Sequence, residues 1–213
     1  MYSKIKKIAL ELEKEPVLLF FSCGKDSIVS LDLFCKYYRG EITVIFFYFV
    51  DGLEIKEKIL RWYENKYNIK IVREPDFKIV KYESDKKSYN LGRYENYLRD
   101  KYNISYIVRG DKKVDSFSRR GYLSKLHDGI DKKYLKLYPV MDWSNKQIFS
   151  YVKFNKLLLP DEYKAGFDRD FYIPNSEKML YLKNNYYNDY LKVIAKYPEF
   201  EAMALRREYH GSE

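Results

Sequence analysis

Residues 20–27 read FFSCGKDS and join an apolar run to a helical pattern. Val17 to Phe21 is short and continuously apolar, as expected for a strand buried on both faces. From Asp26 to Tyr38, residues Ile28, Leu31, Cys35 and Tyr38 recur at helical spacing, and Gly40 supplies a stop. Ser22 to Ser27 therefore forms the loop between a strand and a helix. At such a place backbone N–H groups are free, and the positive end of the helix dipole favours an anion. Gly24 allows close backbone approach and positive φ. Ser22 and Ser27 bring hydroxyls, and Lys25 brings a point charge. Asp26 would repel a bare anion, but it fits if Mg²⁺ lies between it and phosphate groups. Neither GxxxxGK[ST] nor GxGxxG is present. A second reading stays open from these residues alone: a polar turn in which Ser22 or Asp26 only caps the helix.

Outward from the loop, the pattern alternates. Ser3 to Glu15 reads as an amphipathic helix stopped by Pro16. Thr43 to Val50 (TVIFFYFV) reads as a second buried strand, Leu53 to Tyr67 as a helix, and Ile69 to Val72 as a third strand. Asp76 to Asn103 is polar and tyrosine-rich, and its pattern fits either helix or a partly ordered insertion. Tyr106 to Val108 predicts a short strand leading into RGDKKVDSFSRR, and Tyr134 to Val140 predicts another. Ser144 is placed to cap a helix carrying Ile148, Tyr151, Val152 and Phe154. After Pro160, two or three helices follow, separated by Pro174 and Pro198. Strands alternating with helices imply right-handed crossovers and an α/β fold with a mostly parallel twisted sheet, helices on both faces. The expected division is an α/β core over 1–160 and a helical extension over 161–213 packed on it.

The 213 residues are enough to bury a core without disulfides. The net charge of +9 permits an anionic partner without identifying one. From Arg109 to Lys136 there are nine Lys or Arg and four Asp, a net +5, which suits a nucleic-acid or protein partner or a solvated surface loop. The two cysteines, Cys23 and Cys35, and two histidines, His127 and His210, offer no zinc spacing and too few thiolates for an iron–sulfur cluster. The N-terminal stretch is charged throughout, and no segment is as long and apolar as a membrane span. The expectation is a soluble protein of the reducing cytoplasm, with a homodimer left open.

Ser22-Cys23-Gly24-Lys25-Asp26-Ser27 resembles the PP-loop, S-G-G-x-D-S, of the adenine nucleotide α-hydrolases, and most closely that of their phosphoadenylyl-sulfate (PAPS) reductase branch. Asp51-Gly52-Leu53-Glu54 with Glu57 is similar to that branch's D-T-G-x-E-x-x-E, one residue shorter. Arg109-Gly110-Asp111-Lys112 with Asp115-Ser116 and Arg119 is similar to its G-x-R-x-x-E-S-x-x-R. Tyr138 to Ser144 followed by Ile148 and Tyr151 resembles its Y-P-L-x-D-W-T-x-x-D-V-x-x-Y. The four segments occur in the same order. The resemblance implies an adenine nucleotide α-hydrolase-like fold that binds ATP or an adenylyl sulfate with Mg²⁺. It implies that Ser22, Cys23, Gly24, Lys25, Asp26 and Ser27 surround phosphate or sulfate. Phe49 to Gly52 would lie against the adenosine, with Asp51 near the ribose. Arg109, Lys112 and Arg119, with Asp115 in the same segment, would form the opposite wall. Lys25, Asp26 and Arg109 are the expected catalytic residues and Asp26 the expected metal ligand.

The resemblance stops at the tail. The reductases carry a catalytic cysteine in a C-terminal E-C-G-x-H motif, and this sequence has no cysteine after Cys35. Three functional expectations follow. One is cleavage at the α-phosphate to adenylate an acceptor. Another is a non-catalytic nucleotide-binding subunit of a nucleic-acid-modifying or defence complex. The third is sulfonucleotide reduction using Cys23, whose thiol would sit at a helix N-terminus. His127 and His210 read as surface residues, Asp168-Arg169-Asp170 as a charged turn, and Trp62 and Trp143 as packing anchors.

Overall fold

A computed structural model describes residues 2–83, 90–167 and 175–210. Its centre is a six-stranded sheet in the order β3-β2-β1-β4-β6-β5. The strands are β1 (Val17–Phe21), β2 (Ile42–Tyr48), β3 (Ile71–Pro75), β4 (Tyr106–Val108), β5 (Ile130–Asp131) and β6 (Lys136–Leu137). All neighbours are parallel except β5 and β6. β1 is central, with Val17 opposite Ile42 of β2 and Tyr106 of β4. The chain leaves β1 towards β2 and β3, then returns across β1 to place β4 on its other side. The loops after β1 and β4 therefore diverge. That topological switch point is where an open parallel sheet has its binding crevice.

The helices are α1 (Ser3–Leu12), α2 (Lys25–Tyr37), α3 (Glu54–Tyr67), α4 (Phe77–Glu83), α5 (Leu91–Tyr102), α6 (Phe117–Leu123), α7 (Asn145–Phe154), α8 (Asp161–Lys164), α9 (Ser176–Asn185), α10 (Tyr187–Lys196) and α11 (Glu199–His210). Alternation along β1 explains its apolar run, because successive side chains enter different layers. Val17, Leu19 and Phe21 join a cluster with Ile5, Ile8, Ile28, Leu31, Tyr63 and Ile148. Leu18 points the other way, with Ile45, Ile107, Tyr94 and Leu98. Of the tyrosine-rich stretch after Asp76, residues 84–89 lie outside the described residues; the rest forms α4 and α5, which cover the second face of the sheet.

Two strands differ from the sequence reading. β3 is shifted towards Pro75, because Asn68 ends α3 in the left-handed conformation and Ile69 N–H still bonds back to Glu64 O. The expected 134–140 strand contracts to β6. Leu135 before it has φ of 50°, and after it Pro139 lacks an N–H while Trp143 N–H turns back to Val140 O. Ser144 does cap α7, in a full capping box with Gln147.

The C-terminal helices pack against the segment that follows β2. Met179, Leu182, Tyr190, Val193, Tyr197 and Ala204 form a cluster with Val50, Leu53 and Ile55. Asp189 is buried and accepts the N–H groups of Glu54 and Ile55, both at 2.8 Å, so α10 caps α3. Among the described residues, no helix is long and apolar enough to cross a membrane.

Candidate functional site

The loop after β1 closes on itself. Ser22 N–H donates to Ser27 Oγ at 3.2 Å, the two serine Oγ atoms are 3.1 Å apart, and Ser27 Oγ donates to Gly24 O at 2.9 Å. Gly24 is the N-cap of α2 and makes no side-chain cap bond. Ser22 Oγ accepts the Gly24 N–H at 3.2 Å, as the turn reading of Ser22 expected, but Gly24 itself caps nothing. Lys25 N–H is instead accepted by the Tyr163 hydroxyl at 3.1 Å, 138 positions along the chain. α8 holds Tyr163 there. Glu162 forms a buried ion pair with Lys56 at 2.5 Å, and Asp161 pairs with Lys58 and Lys164. Lys164, then the Tyr186 hydroxyl and Lys58, outweigh burial and hold the Asp161 carboxyl well below the usual carboxylate range.

Cys23 has φ of 62°, a left-handed conformation that favours glycine. Its side chain is fully buried in the core cluster that includes Phe21 and Tyr63. A thiol in that position is packing, not an exposed nucleophile. Cys35 lies on the core side of α2, where burial and then Asp32 push its thiol up to about 12.

The segment after β4 forms the facing wall. Gly110 is what lets it approach: a Cβ there would lie 3.0 Å from Asp26 C and Ser27 N, at the backbone of the first turn of α2. Lys112 is fully buried, with Nζ 2.6 Å from Asp26 Oδ1 and 2.9 Å from Asp115 Oδ1. The first contact is close but not aligned as a hydrogen bond, so it acts as an ion pair. Asp26 Oδ2 is 3.1 Å from Lys25 Nζ. Arg109 reaches Asp111 at 2.8 Å and the buried Glu95 at 3.1 Å. Burial works against its charge, but Asp111 and Glu95 hold the guanidinium more firmly protonated than usual. Arg119 spans Asp111 at 3.1 Å and Asp115 at 3.3 Å.

Between the walls lies a cavity of about 290 Å³. Ser22, Asp26, Ser27, Arg109, Asp115 and Arg119 line it, as do Asp111 and Gly110. Its apolar part comes from Phe20, Phe47, Phe77 and Tyr94, and Asp76 adds a mostly buried carboxylate. Burial, opposed by the Lys78 N–H, raises the Asp76 pKa above its ordinary value. Asp76, Phe77, Tyr94 and Glu95 came from the stretch the sequence left unplaced. Tyr163 was not legible at all, since only the fold brings it to Lys25.

Other expected residues lie elsewhere. Phe49 stacks on Tyr197 with ring centroids 4.7 Å apart and meets Phe200 edge-on. Asp51 accepts the Gly52 N–H, and Gly52 O accepts from Lys192. Phe49 and Gly52 meet the C-terminal helices, Asp51 is exposed, and none of the three lines this cavity. Cys23, Gly24, Lys25 and Lys112 stand behind its wall. The charge of the 109–136 segment is mostly engaged internally: Lys113 pairs with Asp142, Lys132 with Glu11 and Lys136 with Glu95. His127 is exposed beside Asp128, and Trp143 is buried against Tyr151. Asp168 to Asp170 and the His210 side chain lie outside the described residues.

Residues 16–169, most of the chain, match the phosphoadenosine phosphosulfate reductase domain. The chain belongs to that family. The uncharacterized protein MJ0066 of Methanocaldococcus jannaschii is 30% identical over 185 residues, which are 79% of this chain and 36% of that protein. The chain thus spans about a third of the length of this curated relative. Among solved structures, an FMN adenylyltransferase of Candida glabrata in complex with FAD and inorganic pyrophosphate aligns with a TM-score of 0.59 at 18% identity, covering 81% of this chain and 62% of that one. A PAPS reductase of Candida auris in a phosphate complex aligns at 0.52 and 12% identity, covering 81% and 90%. At such identities the likeness concerns the fold, which is that of the adenine nucleotide α-hydrolases.

Proposed function

We propose that the Ser22–Ser27 loop binds the phosphates of an adenine nucleotide, Mg²⁺·ATP or an adenylyl sulfate, and that cleavage at the α-phosphate adenylates an acceptor. The observation that carries this reading is the Ser22–Ser27 loop at the start of α2, set at the switch point beside a cavity whose other wall holds Arg109 and Arg119. Backbone N–H groups and two guanidiniums then converge on one anion from opposite sides. The apolar floor of Phe20, Phe47, Phe77 and Tyr94 suits adenine, and Asp76 is placed for a ribose hydroxyl, a role the sequence reading gave to Asp51.

One carboxylate fits a metal ion in part: Asp26 faces the cavity, but its Oδ1 lies 2.6 Å from Lys112 Nζ and its Oδ2 3.1 Å from Lys25 Nζ, so an ion there would displace an ammonium group. Asp26 would hold Mg²⁺ together with phosphate oxygens, as that ion commonly binds through one carboxylate and its substrate. When bound, the ion would neutralise the phosphate charge. The chain's own contribution is position and charge. Ser22, Ser27 and the α2 amides fix the phosphates, Lys25 stands beside Asp26, and Arg109 and Arg119 stabilise negative charge as it develops. With ATP, a deprotonated acceptor oxygen forms a bond to the α-phosphorus, the bond to the bridging oxygen breaks, and pyrophosphate leaves with the electron pair; with an adenylyl sulfate, sulfate leaves instead.

The test is a thermal-shift panel with Mg²⁺·ATP, adenylyl sulfate, phosphoadenylyl sulfate and adenosine bisphosphate, on wild type and Ser27→Ala. A ligand at about 100 times its Kd adds roughly 2.7 kcal/mol, or about 5–11 °C for a chain of this size. A shift with Mg²⁺·ATP that the substitution removes is expected. A shift with the sulfonucleotides alone would point to reductive chemistry. No shift with any nucleotide would refute this reading.

A further inference from the structure

The first turn of α2 presents amides that its own helix leaves unbonded, since Ile28 N–H is the first to bond back, to Gly24 O at 2.9 Å. Two of these amides are already taken. Ser22 Oγ holds the Gly24 N–H from within the loop, at 3.2 Å. The Tyr163 hydroxyl holds the Lys25 N–H from outside it, at 3.1 Å. The N–H groups of Asp26 and Ser27 have no partner among the described residues. The cavity between the two walls follows the same division: Ser22, Asp26 and Ser27 line it, whereas Gly24 and Lys25 do not. A Cβ on Gly24 would lie 3.9 Å from the Tyr163 hydroxyl, so that one hydroxyl covers both residues.

The backbone beneath Tyr163 is fixed. Glu162 pairs with Lys56 at 2.5 Å, both of them buried, and Asp161 accepts the Tyr186 hydroxyl at 2.7 Å. These bonds fasten α8 to α3 and to the junction of α9 and α10. The ring is less confined. It is half-buried, meets Phe149 edge-on with centroids 6.3 Å apart, and borders a second cavity of about 460 Å³. Leu157, Leu158, Leu159 and Phe167 line that space with it. A change of side-chain rotamer would carry the ring into this apolar space and lift the hydroxyl from Lys25, with α8 left in place.

We propose that Tyr163 is an internal competitor for the anion that the loop receives. In the empty chain its hydroxyl oxygen accepts the Lys25 N–H. A phosphate oxygen takes the same N–H, and the ring turns aside into the apolar cavity. The inference rests on the nucleotide reading of the Ser22–Ser27 loop and adds a threshold to it. The hydroxyl is a neutral acceptor, and an amide at a helix start bonds an anionic oxygen more strongly, so a phosphate wins the exchange. The empty chain is ready to bind only while the hydroxyl is off the amide, and the apparent affinity is lowered by that fraction. Tyr163 thereby ties the loop to the C-terminal helices, since the α8 that carries it is bonded to Tyr186.

Tyr163→Phe keeps the ring and removes the hydroxyl. Calorimetric titrations of wild type and variant use Mg²⁺·ATP and, as the form lacking phosphates, adenosine. The variant should bind Mg²⁺·ATP about 2- to 13-fold more tightly, the worth of one hydrogen bond, with adenosine binding unchanged. In the absence of ligand, hydrogen exchange at the Lys25 amide, followed by NMR, should speed up in the variant by a similar factor. Equal affinity for Mg²⁺·ATP would overturn the competitor and leave the nucleotide reading standing. Weaker affinity would do the same, by making the hydroxyl a contact to the ligand. Unchanged exchange at Lys25 would also overturn it, as would an equal gain for adenosine, which would trace the effect to ring packing. Binding of Mg²⁺·ATP to neither chain would sink the nucleotide reading and the competitor with it.

Discussion

Lys112 is a fully buried ammonium held between Asp26 at 2.6 Å and Asp115 at 2.9 Å, and replacing it with methionine keeps the bulk while removing the charge. Breaking a buried ion pair from one side usually costs about 3–5 kcal/mol, because the remaining charge is left without a partner. Here two facts reduce that figure. Each carboxylate is about a fifth exposed, at 22% and 20%, so water reaches it. Each also keeps another cation, Lys25 for Asp26 and Arg119 for Asp115. The expected loss is therefore about 2–3 kcal/mol. For a chain of this size that is a fall in Tm of roughly 4–12 °C. Thermal unfolding followed by circular dichroism, with urea titration beside it, measures the loss. Asp115→Asn and the double variant complete a cycle whose coupling should be about 0.5–3 kcal/mol. A fall of less than about 2 °C in Tm, or strict additivity in the cycle, would show that Lys112 does not join the two walls.

Three further outcomes are expected. Asp76 has its pKa raised by burial, so the folded chain holds that proton more tightly than the unfolded one. The resulting penalty is full above the folded pKa and absent below the unfolded pKa, so Asp76→Asn should be stabilising at pH 7 and the gain should vanish as pH falls below about 4; a gain in urea titrations that does not change with pH would contradict this. Both thiols should be silent towards a disulfide reagent in the native chain at pH 8 and react on unfolding, since Cys23 is buried and the Cys35 thiol is pushed up to about 12 by burial and then Asp32. Rapid native labelling of Cys23 would restore it as a candidate nucleophile. Asp189→Ala removes the carboxylate that caps α3 at Glu54 and Ile55, so it should cost about 1–2 kcal/mol in urea unfolding and loosen hydrogen-exchange protection in α9 and α10 first; an unchanged exchange pattern would detach α10 from α3.

The parts of the fold that were legible share a physical cause. β1 is buried on both faces, so its five residues read as one apolar run, and the loop that follows is bounded by it. Ser144 and Gln147 sit three apart and cap α7 by a local rule. What was hidden depends on long-range meetings. α5 covers a sheet face with little more than Tyr94 and Leu98, too sparse a stripe among charged neighbours to declare itself. The basic count of the 109–136 segment gave no hint that Asp142, Glu11 and Glu95 would absorb much of it. Phe49 looked like a ligand-facing residue by its place after β2, yet Tyr197 and Phe200 come from the far end of the chain to cover it.

Family and chemistry separate at the cysteines. The chain belongs to a reductase domain family, but reduction through a thiosulfonate needs a thiol that can reach the sulfur. Of the two thiols here, Cys23 is buried in the core by the very loop that would hold the phosphates, at a positive φ and in the cluster that includes Phe21 and Tyr63. Any reducing thiol would have to come from outside these 213 residues. What the chain itself keeps at the cavity is a helix start, two guanidiniums and a carboxylate held between lysines. Under the function proposed above, those groups would bind and polarise a phosphate, and the chemistry they would serve is displacement at phosphorus.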